Sequence, residues 1–175
     1  MVRKHKPKSL SQVMASIHSK DTRPELAVRH WLWHHGFRYR KNARQLPGSP
    51  DIVVVNAHVA IFVHGCFWHQ HPGCPAATVP HSNVDFWTAK FRRNHERDER
   101  VRSSLSALGW HTLVIWECQL KPPVFEKTMA VVAAILSDAR DSASSRPQPR
   151  PYDFVSDNDD YDLAAEDLED YDSPD

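Results

Sequence analysis

An α/β fold, with a mixed sheet flanked by helices, is predicted by three features of the sequence. Helical and strand-like stretches follow one another in the order helix, helix, strands, helix, strand, helix. Two β-branched runs, residues 51–55 and 59–63, are short and apolar enough for buried strands. A long charged stretch, residues 86–108, has helical character and separates them from a further strand-like run at 110–116.

Taken in order, residues 1–8 are basic and read as an arm that is disordered when alone. A first helix is predicted from Ser9 or Ser11 to about Ser19, carrying Val13, Met14 and Ile17. A second starts at Asp21-Thr22-Arg23-Pro24-Glu25, where Thr22 can cap, Pro24 suits the first turn and Glu25 completes a capping box. Leu26, Val28, Trp31 and Leu32 give it an apolar side, and Gly36 stops it. Residues 37–40 alternate like a short strand, and Leu46-Pro47-Gly48-Ser49-Pro50 breaks the chain before the first β-branched run. Asn56-Ala57-His58 is short enough to join the two runs as a hairpin. Gly109 ends the charged helix. A last helix is predicted over 124–139, with Val131, Val132, Ile135 and Leu136 as its core face. Trp31, Trp110 and Trp116 sit where core residues are expected. These elements make one domain over residues 9–140. Residues 141–151 are Ser/Pro/Arg-rich and read as a linker, and 152–175 as an acidic disordered tail.

The formal net charge of zero conceals a division. Eleven acidic residues and no Lys or Arg lie between Asp153 and Asp175, leaving 22 basic against 11 acidic residues in 1–152, a net charge of +11. A body this basic points to a polyanionic partner, nucleic acid above all. The tail reads as solubilising, with competition for the basic body as the alternative. No run of about 18 apolar residues is present, so no membrane span is expected. The charged N-terminus has no apolar segment behind it, so no secretory signal is expected. Three cysteines without an export signal read as reduced thiols or metal ligands.

The chemistry concentrates at His64-Gly65-Cys66-Phe67-Trp68-His69-Gln70-His71-Pro72-Gly73-Cys74. Cys66, Cys74 and the more distant Cys118, with one histidine, make a four-ligand set for a structural zinc. Cys66 and Cys118 each follow the end of a central strand, so neighbouring strand ends can bring them together. Spacing leaves His71 and His69 both open as the fourth ligand. Asp51 opens a strand, and the next strand ends at Val63 and His64. A carboxylate and a backbone carbonyl there suit magnesium, with His64 or His69 as a base. By pattern alone Asp51 reads as a turn aspartate ahead of a ligand, and Glu25 equally suits a helix cap. Phe67, Trp68 and Trp87 form an aromatic set. It either unstacks bases or packs over the cysteine knot.

At these residues the chain resembles the very short patch repair endonuclease family. The matching segments are Met14-Ala15-Ser16-Ile17 with Lys20-Asp21-Thr22 and Glu25; Leu46-Pro47-Gly48-Ser49-Pro50-Asp51; and Ile61-Phe62-Val63 running into the His64–His69 stretch. Phe86-Trp87 with Lys90, Asn94, Glu96, Arg97 and Asp98 follow, then Leu108-Gly109-Trp110 and Val114-Ile115-Trp116-Glu117-Cys118. The resemblance runs from about Ser9 to about Ala139. It implies a restriction-endonuclease-like fold with a structural zinc knot. It implies an enzyme that nicks double-stranded DNA 5′ to the thymine of a T:G mismatch, the product of 5-methylcytosine deamination. Asp51 would be the main magnesium ligand, with the Val63 carbonyl beside it, and His69 the general base. Glu25, His64 and Asp98 would position waters on the magnesium and the phosphate. Cys66, His71, Cys74 and Cys118 would bind zinc. Phe67, Trp68 and Trp87 would enter the base stack, with Met14 approaching from the opposite groove and Lys90 and Asn94 on the DNA. A monomer in the bacterial cytoplasm, associated with the nucleoid and cooperating with other repair proteins, follows from the same resemblance. The sequence departs from the family pattern in the His71–Cys74 spacing, which is one residue longer. Two other functions fit the residues: a zinc-stabilised DNA-binding module that does not cut, and a sequence-specific nuclease acting on fully paired DNA.

Overall fold

A computed structural model describes residues 21–144. The basic arm, the helix expected before Ser19 with Met14, and the acidic tail lie outside the described residues. Helix α1 spans Arg23–His34. Strand β1 is Arg40–Lys41, β2 is Ile52–Val54, and β3 is Val59–His64. Helix α2 spans Val84–Ala107, β4 is His111–Trp116, and α3 is Phe125–Ser144. A short 3-10 turn, Val55–Ala57, joins β2 to β3, and another, Glu117–Leu120, follows β4.

The sheet order is β1-β2-β3-β4. The first three strands are antiparallel neighbours, and β3 and β4 run parallel, so the sheet is mixed as expected. Helices cover both faces. Ile52, Val54, Val59, Ile61 and Ile115 pack with Val28 and Leu32 of α1 and with Met129, Val132 and Leu136 of α3. Val53 and Ala60 point the other way, to Leu46, Leu105 and Trp110. Strands buried on two faces need no polar alternation, which is why β2 is apolar throughout.

Three sequence expectations shift. The strand expected at 37–40 shrinks to Arg40–Lys41, because Phe37 closes α1: its N–H donates to the Leu32 carbonyl at 2.9 Å. The core face of α3 is Met129, Val132 and Leu136, whereas Val131 and Ile135 are exposed. A helix on one side of a sheet buries a single stripe, and α3 has more apolar residues than that stripe holds. The same helix runs on through residue 144, four residues into the stretch read as linker, since no Pro or Gly interrupts it before Pro147.

Gly48 sits where the turn before β2 presses on α2. Its φ is +76°, and a Cβ there would lie 2.5 Å from Val101 Cγ1 and 2.8 Å from Cγ2. Val101 is β-branched within a helix and cannot swing aside. Gly48→Ala is expected to cost about 2 kcal/mol of stability, read as a lower urea midpoint. An unchanged midpoint would show that the turn does not bear on α2 as described.

Candidate active site

Strands β3 and β4 leave the sheet level with each other, with His64 opposite Trp116. Cys66 and Cys118 therefore arrive side by side. The loop after Cys66 folds back on itself: His71 N–H donates to the Cys66 carbonyl at 3.0 Å, and Cys74 N–H to the His71 carbonyl at 3.2 Å. Gly73, at φ +71°, makes the reversal between His71 and Cys74. The ligand atoms of Cys66, His71, Cys74 and Cys118 all lie within 4.8 Å of one another. His71 Nδ1 is 3.3 Å from Cys118 Sγ and 3.7 Å from Cys66 Sγ. Burial pushes the Cys118 thiol up to about 12, and the neighbouring sulfurs of Cys66 and Cys74 add to the effect. Cys74 is pulled the other way, chiefly by a hydrogen bond from the Ala76 backbone. Three sulfurs this close cannot all ionise without a cation among them, so the donor set fits a borderline-soft metal. Of the two histidines open from spacing, His71 joins the cysteines and His69 does not.

On the other side of the loop lies a cleft of about 1140 Å³, lined by Glu25, Asp51, Val63, His64, His69 and Asp98 among others. Asp51 Oδ2 accepts a 2.8 Å hydrogen bond from the Val63 N–H, tying the start of β2 to the end of β3. Burial, helped by the charge of Glu25 and opposed by the Val63 N–H, Arg29 and His69, raises the Asp51 pKa from 3.8 to about 6. A buried carboxyl held beside a second carboxylate fits a hard cation. Glu25 is 4% exposed. Its oxygens accept from the Asp21 N–H at 3.0 Å and from Thr22 Oγ1 at 2.7 Å, so the expected capping box does not close, since the Thr22 hydroxyl is spent on the carboxylate rather than on the helix, and Glu25 lines the cleft.

His69 Nδ1 is 2.5 Å from Asp98 Oδ2, a contact that joins the loop to α2. Burial would raise Asp98, but its hydrogen bond and attraction to His69 bring it below the usual carboxylate range. The contact engages Nδ1 of His69 and leaves Nε2 as its other ring nitrogen. His64 stacks on His69, with centroids 3.7 Å apart and planes 13° from parallel. Burial, then repulsion by His69, lowers its pKa to about 4, so His64 stays neutral. His64, His69 and Asp98 also cluster within 4.8 Å, a spacing that can hold an ion.

The aromatic set packs on itself. Phe67 meets Trp68, Trp87 and Phe91 edge-on at 5.1–5.4 Å, and Trp87 is only 4% exposed. Trp68 is half-buried and lines the cleft, with Lys90 Nζ 5.7 Å from its ring centre. Asn94, expected to face DNA, donates from Nδ2 to the Trp68 carbonyl at 2.9 Å and so holds the loop. Trp116 is half-buried outside the main core: it stacks on His71 at 4.1 Å and meets His64 edge-on at 5.5 Å. Its apolar strand masks this position, because alternation gives the face and not the neighbours. Arg29 was likewise missed. Its signal was a lone cation one turn beyond Glu25, which sequence alone reads as an ordinary surface pair.

A family model described as DNA mismatch endonuclease Vsr matches residues 2–74. The type II nicking enzyme V.NmeAIP of Neisseria meningitidis serogroup A is 47% identical over 111 residues, covering 63% of this chain and 79% of that protein. The type II nicking enzyme V.XorIIP of Xanthomonas oryzae pv. oryzae is 44% identical over 114 residues, 65% of this chain and 83% of its own. The DNA mismatch endonuclease Vsr of Escherichia coli K12 is 40% identical over 117 residues, 67% of this chain and 74% of its own.

Proposed function

Because the chain belongs to the Vsr family of DNA mismatch endonucleases, we propose that it nicks double-stranded DNA 5′ to the thymine of a T:G mismatch and so initiates very short patch repair. The observation that carries this reading is the convergence, in one cleft with basic residues on its walls, of the Asp51 and Glu25 carboxylates and the His69–Asp98 pair. Arg44, Arg97, Arg102 and Lys90 line the same cleft and suit a phosphodiester backbone.

The chain's own groups divide the work. Asp51, with the Val63 carbonyl beside it, would hold magnesium, and Glu25 would complete the acidic side. When bound, magnesium supplies positive charge that stabilises the developing charge on the scissile phosphate. His69 Nε2 takes the proton of the attacking water, while Asp98 fixes the ring and supports the imidazolium that forms. Neutral His64 packs on the His69 ring and keeps it from tilting. The cut leaves a 5′-phosphate and a 3′-hydroxyl. Zinc at Cys66, His71, Cys74 and Cys118 would hold the loop that carries His69 and Trp68. Trp68, at the cleft, is the ring of the aromatic set best placed to meet a base step, with Phe67 and Trp87 as its support. A T:G wobble pair stacks less well than a Watson–Crick pair, so unstacking it costs less and the difference reads as specificity. Monomeric action in the bacterial cytoplasm on nucleoid DNA belongs to the same proposal, and the three relatives named above are bacterial proteins.

Two duplexes of one sequence, differing only in T:G against T:A, test the reading on a denaturing gel with magnesium. A nick confined to the thymine strand of T:G is expected. Equal cutting of T:A would favour a nuclease of paired DNA, and binding without a nick would favour a recognition module. Asp98→Asn is expected to lower kcat by about a hundredfold or more, because a general base that loses its orienting acceptor loses most of its share. Single-turnover nicking measures this; a rate equal to wild type would remove Asp98 from the mechanism.

A further inference from the structure

Arg29 stands out among the buried groups of the described residues. With Glu25 it is one of the two buried polar residues, at 3% exposure, and it lies on α1 one turn beyond that carboxylate. One side of its guanidinium binds Asp21 Oδ1. Nη2 reaches Glu25 Oε2 at 3.3 Å and the Asp51 backbone carbonyl at 3.4 Å. That carbonyl also accepts from the Asn42 N–H at 3.2 Å. The guanidinium therefore bridges the first turn of α1 and the residue just before β2 by hydrogen bonds, at the cleft end of the apolar contact that Val28 and Leu32 make with Ile52 and Val54. Each contributes one carboxylate to the cleft.

We propose that Arg29 is a positioning residue for the cation site, setting the separation of Glu25 and Asp51 and the net charge between them. This rests on the proposed reading of those two residues as the acidic side of a magnesium site. Charge gives the argument its direction. Glu25 and Asp51 together carry two negative charges, which a divalent cation alone would cancel, leaving the cation site itself with no net attraction for a phosphodiester beyond that of the basic walls of the cleft. Arg29 cannot lose its proton under ordinary conditions, so it leaves the loaded site one unit positive toward the phosphate. Asp21 offsets this only partly, because its side chain is 50% exposed and solvent screens it. Arg29 must also repel the cation. It trades some metal affinity for substrate attraction and a fixed geometry. Of the other carboxylates that line the cleft, Asp98, Glu99 and Glu117, the first has its own partners in His69 and Arg97, the latter at 3.2 Å, and the second pairs with Arg102, so neither draws on Arg29.

The experiment compares wild type with Arg29→Met, Arg29→Lys and the double variant Glu25→Gln/Arg29→Met. Melting is followed in EDTA and through a magnesium titration without DNA, and nicking of the T:G duplex gives kcat and KM. Arg29→Met is expected to shift the magnesium midpoint to lower concentration while kcat falls by about tenfold or more, since small misplacements of catalytic groups carry losses of this order. Arg29→Lys, which keeps the charge without the fork, is expected to restore the midpoint and only part of kcat. If Arg29→Met folds poorly, the double variant, which removes the uncompensated carboxylate as well, is expected to melt higher than Arg29→Met in EDTA. An Arg29→Met protein with an unchanged or higher midpoint, or with wild-type kcat, overturns the role of Arg29 and leaves the proposed function standing. A wild type that neither responds to magnesium nor nicks overturns the proposed function, and the role of Arg29 with it.

Discussion

Asp51→Asn is expected to abolish nicking, by at least about a thousandfold, and yet to raise the melting temperature of the metal-free protein at alkaline pH. Both effects come from one carboxyl. Burial, with Glu25 nearby, raises its pKa from 3.8 to about 6 in the native state. In the unfolded chain the group ionises near its ordinary value. Between those two values the native protein holds a proton that the unfolded chain has released. Above about pH 6 the ionised carboxylate therefore weighs against the fold, by no more than about 3 kcal/mol on this difference. The penalty shrinks as the pH falls and is gone below the ordinary carboxylate value. Asparagine keeps an oxygen for the Val63 N–H and carries no charge. The variant should melt higher than wild type in EDTA at about pH 8, with the advantage vanishing toward about pH 4. Adding magnesium should reverse the order, stabilising wild type and not the variant. Melting curves over pH, with and without magnesium, and a nicking gel decide it. A variant that nicks like wild type, or that melts lower than wild type in alkaline EDTA, contradicts the assignment of Asp51.

Cys118→Ser is expected to lose the zinc and at least about a hundredfold of the nicking rate, with the body of the domain still folded. The two apolar clusters that hold the helices to the sheet contain no residue of the loop from Gly65 to Ala76. The loop's order rests instead on the four ligands, on a few backbone hydrogen bonds and on its contacts with α2 through Phe67, His69 and the Trp68 carbonyl. Removing one ligand should release the loop, and with it His69 from Asp98 and Trp68 from Asn94. Far-UV dichroism should stay close to wild type, while limited proteolysis should gain a cut within the loop. Metal content after gel filtration tests the ion directly. A zinc-free protein with full activity and an uncut loop would show that the knot has no part in placing His69.

Several parts of the fold were legible because local physics decides them. The β-branched runs became β2 and β3, the long charged stretch became α2, and the capping pattern at Thr22 and Glu25 marks the start of α1. Glu25 also shows how a sound local reading can be incomplete. The helix starts where the pattern places it, but Glu25 takes the Asp21 N–H and the Thr22 hydroxyl instead of closing a capping box, and it lines the cleft, a fact of packing that no window of sequence contains. Val131 and Ile135 were misplaced because periodicity finds an apolar helix and does not say which stripe meets the sheet. Trp116 looked like core and instead lies between His71 and His64.

By itself, then, the sequence determined the element order, the basic body with its acidic tail, and the inventory of donors: three cysteines, the histidines around them and the carboxylate that opens β2. Tertiary structure alone decided the partnerships. His71 went to the cysteines and His69 to Asp98, 29 residues away in the chain, and Arg29 came to join Glu25 with the Asp51 carbonyl. Local preferences act over a turn or a strand and can be read as pattern. Ligand choice, pKa and charge balance depend on which groups come within a few ångströms. In this protein, the parallel pairing of β3 and β4 and the packing of the three helices against the sheet set those distances.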